Sequence, residues 1–373
     1  MSKDKKRLVP VRRFKEFENS AAWEQRKLGE VAEKFDNLRI PITAAKRKKG
    51  VTPYYGANGI QDYVEGYTHN GEFVLVAEDG ANDLQNYPVH YVSGKIWVNN
   101  HAHVLQGKNR IADNLFLLNA IKKIQFETYL VGGSRAKLNA DTMMKLPIKL
   151  PGFKEQQELG KYFYKLDNLI ALHQRKLNKL KKMKSACLTE MFPAEGEREP
   201  KRRFPGFTGA WEQRKLGEIT KANSFKQYIS EAFDHGKYMV IQQGGNPIAG
   251  YADGDPFENF KDVTLFGDHT LSLFKPQEKF FVASDGIKIL SPSLKMNGMF
   301  YYYLLEKYKP QSEGYKRHFT IMKKRTALFP IEIDEQIKIS NFLKELDSLI
   351  TLHQRKLDKI KKMKLAYLHE LFV

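Results

Sequence analysis

One cysteine, Cys187, stands among 373 residues. That excludes an internal disulfide and any cysteine-built zinc site, and it fits a reducing compartment. Long apolar runs are missing too, for nothing approaches the roughly 18 consecutive apolar residues of a membrane span. The opening MSKDKKRLVPVRRF has charge but no apolar stretch behind it, as a secretion signal would need. A soluble, cytoplasmic protein without a membrane partner is expected. Catalytic signatures are also wanting. No GxGxxG occurs, and none of the Gly-Lys pairs at Gly94, Gly107, Gly160 and Gly236 is followed by Ser or Thr, so nucleotide hydrolysis has no phosphate loop to rest on. There is no Asn-Pro-Pro-aromatic motif of adenine methylation, and no acidic pair with a following Lys forms a convincing nuclease site. His101 and His103, without carboxylates or cysteines close by in sequence, read as strand or loop residues more than as metal ligands. Acidic residues are in deficit: 43 Asp+Glu face 62 Lys+Arg, a net charge of +19. Such a balance points to a polyanionic partner, nucleic acid first.

What is present is duplication. LIxLHQRKL occupies residues 169–177 and again 349–357. Around it, Leu159, Phe163, Leu166, Ile170, His173, Leu177, Leu180, Lys184, Cys187 and Met191 follow at alternating steps of four and three, and Ile339 to Leu371 keeps the same register. A 3.5-residue repeat held over about five heptads, with Gln, Arg and Lys between, predicts coiled-coil helices. A second repeat, AWEQRKLGE, fills 22–30 and 210–218, and a basic lead-in precedes each copy, RRFKEF at 12–17 and RRFPGF at 202–207. Between the repeated ends, 31–149 and 219–333 show little mutual resemblance. Fixed frames around divergent inserts imply one architecture carrying two different recognitions.

The inserts read as mainly β, with strands expected over 73–79, 95–100, 103–106, 237–245, 263–270 and 279–290 and helices over 112–132 and 298–308. The expected fold class is α+β: two globular, mainly-β domains joined by two long helices that pair as an antiparallel coiled coil with pseudo-twofold symmetry. The expected boundaries are 1–153 for the first domain, 154–192 for the first helix, 193–333 for a Pro- and charge-rich linker with the second domain, and 334–373 for the last helix.

These residues resemble the specificity subunit of type I restriction-modification systems. The resemblance covers nearly the whole chain and rests on WEQRKLGE at 23–30 and 211–218, on Glu155-Gln156 and Glu335-Gln336 at the helix starts, and on both LIxLHQRKL cores. TPYYGANGIQDYV at 52–64, LFGDHT at 265–270 and VASDGIKIL at 282–290 are similar to the family's recognition domains. The lead-in RRFKEFENSAAW departs from the FPGF-type sequence of the second copy. The resemblance implies a chain without activity or cofactor of its own, whose two target-recognition domains each bind half of a split double-stranded DNA sequence. It also implies two methyltransferase subunits recruited by the helices, and restriction and translocase subunits beyond them. S-adenosylmethionine, ATP and Mg would belong to those partners. The alternative is a coiled-coil scaffold that assembles proteins without sequence-specific DNA binding.

Asn and Gln suit adenine while Arg or Lys suits guanine, so polar residues on Gly-rich loops are the candidate base readers. In the first domain these are Tyr55, Asn58, Gln61, Asn82, Asn99, Asn100 and His101. In the second they are Gln242, Gln243, Asn246, His269, Ser284, Lys288, Arg317 and His318. Each could equally be a turn residue that bonds its own backbone. Arg135, Lys137, Lys316 and Arg317 have the look of phosphate anchors.

Overall fold

The computed structural model describes residues 8–132, 136–194, 196–312, 314 and 316–373. The chain divides into two compact units, Met1–Gln174 with Arg355–Val373, and Arg175–Gln354. Each of the long helices, Phe153–Glu190 and Ile333–Leu371, supplies one half to each unit. Packing explains the division. Leu159, Phe163 and Leu166 share the core of the first unit with Leu371 and Phe372, while Ile339, Leu343 and Leu346 share that of the second with Cys187, Met191 and Phe192.

Within the first unit the two helix halves run antiparallel. Phe163 meets Phe372 edge-on, Tyr162 meets Tyr367, and Asp167 bonds Lys364 at 2.5 Å, so numbers rise on one helix as they fall on the other. In the second unit Lys184 pairs with Asp347 at 2.8 Å, the same relationship with the helices exchanged. Among the described residues no helix is long and apolar enough to cross a membrane.

The repeated frame has a structural reason. WEQRK forms a strand, Glu24–Lys27 in one unit and Trp211–Lys215 in the other, pairing antiparallel with Pro147–Leu150 and Thr326–Pro330 just before each long helix. LGE then makes one helical turn whose glutamate, Glu30 or Glu218, accepts from the backbone N–H of Lys27 or Lys215 at 3.2 Å. A side chain at Gly29 would come within 3.2 Å of the Met144 carbonyl, and one at Gly217 within 3.1 Å of Lys323, so glycine lets a second short helix approach.

The first unit holds a six-stranded sheet in the order Ala32–Lys34, Ala102–Gly107, His69–Ala77, Val89–Val98, Lys49–Gly56, Gly59–Val64. All neighbours are antiparallel except Lys49–Gly56 with Val89–Val98. The second unit splits its strands into a four-stranded sheet of Thr220–Ala222, Ile287–Pro292, Thr264–Gly267 and Leu273–Phe274, and a three-stranded one of Ile248–Ala252, Tyr238–Ile241 and Phe280–Val282. Each unit packs one helix over its sheet, Asn114–Lys122 or Gly298–Tyr308. Asp113 and Asn297 cap these helices, accepting from the amides of Phe116 and Phe300 at 2.9 Å. The first is shorter than the 112–132 expected, because the chain turns after Lys122 to bury Phe126 against the ring of Tyr87, 4.1 Å away.

Candidate nucleic-acid interface

In the first unit three loops converge where the hairpin Lys49–Gly56/Gly59–Val64 turns. The Asn99 amide donates to the Tyr55 carbonyl at 3.1 Å, and its side chain accepts from the His101 amide at 2.8 Å and donates to Gln61 Oε1 at 3.4 Å. Asn58 at the tip donates to the Gly80 carbonyl at 2.9 Å and accepts from the Asn82 amide at 3.0 Å. His101 Nδ1 lies 2.5 Å from Asp79 Oδ1, and the Glu78 amide donates to the His101 carbonyl. Tyr55, Asn58, Gln61, Asn82, Asn99, Asn100 and His101 therefore fall on one connected cluster. A Cβ at Gly56 would sit 2.2 Å from the Gln61 amide nitrogen, so glycine is what lets that side chain fold over the turn. Lys137 joins the cluster from behind, 3.0 Å from Glu78. Arg135 lies outside the described residues.

Beneath this surface Asp36, Arg39, Glu78 and His103 form an ionic bracket. His103 bonds Asp36 at 2.7 Å and the Leu138 carbonyl at 2.8 Å, while Arg39 bonds Glu78 at 2.6 Å. Burial alone would raise both carboxyls. His103, the Val104 amide and Arg39 outweigh it at Asp36, and Arg39, Lys137 and His103 outweigh it at Glu78, so both are held below the usual range. The ligand atoms of Asp36, Glu78 and His103 lie within 4.8 Å of one another, but Arg39 and Lys137 already neutralise those carboxylates. His101 turns to a different acid, Asp79, so the two histidines do not act as a pair.

The second unit reproduces the backbone of this cluster with other side chains. The Ala283 amide donates to the Ile241 carbonyl at 2.8 Å as Asn99 does to Tyr55. Asp268 donates to Gly286 as Glu78 does to His101, and His318 donates to Asp268 as Leu138 does to Glu78. Around these fixed bonds, Gln243 Oε1 accepts from the His269 amide at 3.2 Å, Gln242 donates to the Asn246 carbonyl at 2.9 Å, and Gly244 donates to Ser272. Lys288 donates to the Asp285 carbonyl at 2.8 Å beneath the loop of Ser284 and lies over the Phe225 ring. Lys316 and Arg317 are exposed just ahead of the short helix His318–Lys324.

Two candidates change role. Asn99 and His318 are buried, so their side chains brace loops from inside instead of presenting themselves to a partner. Asn58, Gln61, Gln242 and Gln243 spend polar atoms on loop neighbours, and Asn58, Gln61, Asn82, Asn100, Asn246, Lys316 and Arg317 stand exposed. Asp36, Glu78 and Asp268 were missed. For Glu78 and Asp268 the available signal was an acid directly following an apolar strand, AED or GD, where a carboxylate can tie neighbouring loops, Glu78 to Arg39 and Lys137 and Asp268 to the Phe319 amide.

The fold defines a class: two units, each a β-domain with a loop cluster at one sheet end, each completed by halves of two long helices. The chain belongs to the type I restriction modification DNA specificity family, whose domain matches residues 21–182 and 209–362. A Haemophilus influenzae protein described as a type I restriction enzyme specificity subunit is 46% identical over 149 residues, 40% of this chain and 38% of that one. The MjaVIII specificity subunit of Methanocaldococcus jannaschii is 23% identical over 92% of this chain and 90% of its own. The crystal structure of the type I restriction-modification S subunit from M. genitalium has the same fold, with TM-score 0.77, 14% identity, and coverage of 98% of this chain and 99% of that one.

Proposed function

We propose that this chain reads a bipartite, asymmetric DNA sequence, one half with each unit, and brings to it methyltransferase and restriction subunits that carry out the chemistry. The observation that carries this reading is the repeated loop cluster: the same backbone hydrogen bonds hold different side chains, as two half-sites of different sequence require. Side chains in the groove supply sequence, and the excess of Lys and Arg supplies phosphate affinity. Family membership supports DNA specificity over the scaffold alternative.

The long helices serve as the docking element for two methyltransferase subunits. Leu169 and Leu172 on one, and Leu349 and Leu352 on the other, are exposed leucines at the same places of the repeated LIxLHQRKL core. S-adenosylmethionine, ATP and Mg act in the partner subunits, in the cytoplasm where the DNA lies. Helix length sets the gap between half-sites. Mapping methylated adenines in a strain with and without this gene tests the reading, and a motif that does not depend on the gene would refute it. Exchanging residues 31–149 for another family member's domain should alter one half of that motif only.

A further inference from the structure

The two recognition hairpins differ in sequence, yet they share an irregularity. In Lys49–Gly56/Gly59–Val64 the pairing runs Tyr54 with Asp62 and then slips to Tyr55 with Ile60. In Tyr238–Ile241/Ile248–Ala252 it runs Val240 with Gly250 and slips to Ile241 with Ile248. The extra residue is Gln61 in one and Ala249 in the other, so both returning strands bulge at the same position. A bulge bends its strand and re-aims the neighbouring side chain. That neighbour is isoleucine in both hairpins, followed three residues later by tyrosine: GIQDYV and PIAGYA.

None of these side chains joins an apolar core. Ile60 is 49% exposed and Tyr63 53%, Ile248 42% and Tyr251 39%. By register, Ile60 and Tyr63 share a hairpin face with Pro53 and Tyr55, as Ile248 and Tyr251 do with Met239 and Ile241. Both returning strands end their sheets, where charged residues usually guard against pairing with another chain, and among the described residues only Tyr251 of the second exchanges backbone hydrogen bonds with a further segment, at Phe233. Exposed isoleucine there, twice, needs a partner. Its position names one. Ile60 lies beside Gln61 and two residues from Asn58, which ties the tip to Gly80 and Asn82, and Ile248 lies two residues from Asn246. A two-stranded ribbon fits the major groove, and the apolar feature that a base edge shows there is the 5-methyl group of thymine.

We propose that Ile60 and Ile248 each read a thymine methyl group, one in each half-site. The proposal rests on the reading that both units bind DNA, and it names the apolar contact that the polar candidates cannot make.

The test uses the full chain assembled with methyltransferase subunits and a duplex carrying the methylation motif mapped in cells. Each thymine of the motif is replaced in turn by deoxyuridine, which lacks only the methyl group, and binding is measured by competition. One position in each half-site should weaken binding about fourfold, the ratio expected for one buried methyl group. Ile60→Ala should remove that dependence in one half-site and leave it in the other, and Ile248→Ala should do the converse. The proposal is overturned if selective binding ignores every deoxyuridine, if a half-site contains no thymine, or if the dependence survives in both variants. It is equally overturned if Ile60→Ala weakens assembly with the methyltransferase subunits and leaves the deoxyuridine response intact. A wild-type complex that does not prefer the mapped duplex to a scrambled one would instead refute DNA reading itself.

Discussion

Arg13 clasps Glu155 through two parallel hydrogen bonds, Nε to Oε1 at 2.8 Å and Nη2 to Oε2 at 2.6 Å. Arg203 repeats the clasp on Glu335 at 2.7 and 2.8 Å. The preceding arginines reach the other helix of the same unit, Arg12 to Glu370 and Arg202 to Glu190. Each lead-in therefore straps the start of one long helix to the end of the other. The next residue of each helix, Gln156 or Gln336, accepts from the amide of a helix cap, Asp113 or Asn297. Arg13→Ala leaves a buried carboxylate without its partner and should destabilise its unit by about 3–5 kcal/mol. Arg203→Ala should do the same in the other. Urea unfolding of the full chain checks both, and a loss below about 1 kcal/mol would show that the strap is dispensable.

Loop pins and base readers should separate in binding. Asn58→Ala removes two hydrogen bonds that hold the hairpin tip to residues 80–82. At about 1 kcal/mol each, it should weaken the intact site roughly tenfold or more. The loss should fall on every base pair of one half-site alike. Asn100→Ala, at an exposed position, should instead relax preference at one base pair. A competition panel of single-base variants distinguishes the two patterns.

The first unit should be the acid-sensitive one. Burial holds His90 below the ordinary histidine range, helped by the Lys122 charge, and burial likewise holds His69 low against the pull of the Phe35 carbonyl. Both bind protons more readily unfolded than folded, so stability falls as pH drops through about 6.5. Asp36 and Glu78, held low, contribute stability above the usual carboxylate range and lose it as pH falls further, through their folded values. Fluorotryptophan NMR can follow this, because Trp23 and Trp97 belong to the first unit and Trp211 to the second. The first pair should lose native resonances earlier on acidification, and His90→Gln should narrow the difference.

One substitution should stabilise. In the second unit Lys184 is shared by Asp347 and Glu306. Lys122 stands where Glu306 does, counting from the helix caps Asp113 and Asn297, and it faces Lys364 and Asp167, with burial and the Lys364 charge holding its pKa low. Lys122→Glu turns a like-charge contact into a second acid for Lys364 and should add about 0.5–1 kcal/mol. Unchanged or lower thermal stability would contradict it.

Much of this was legible along the chain. The heptad register of Leu159 to Met191 marks the stripe that reaches the cores at both ends of the helix, Leu159, Phe163 and Leu166 in one unit and Cys187 and Met191 in the other, while Ile170, His173 and Lys184 on the same register join neither. Of the loop candidates chosen from Gly, Asn and Gln composition, seven meet in one cluster. The hairpin Lys49–Gly56/Gly59–Val64 was not recognised as strands. Pro53 sits on a stretch paired with the returning strand alone, and the bulge at Gln61 breaks the alternation by which strands are read. The bracket of His103 with Asp36 was invisible for another reason: 67 residues separate the partners, and only the sheet order brings them together. Glu155 could be recognised as a marker, while its role depended on Arg13, 142 residues earlier.

Phe372 stacks on Phe116 at 5.2 Å and meets Trp23 edge-on, so the core of the first unit includes residues from both extremes of the described chain. The second unit, Arg175–Gln354, is continuous. During synthesis, then, the second unit has its whole sequence available first, while the earlier-made domain waits with an apolar groove uncovered until residues 355–373 leave the ribosome. The domain translated first is the one completed last, and a nascent chain stalled before Leu371 would carry one finished reader and one that a chaperone must hold.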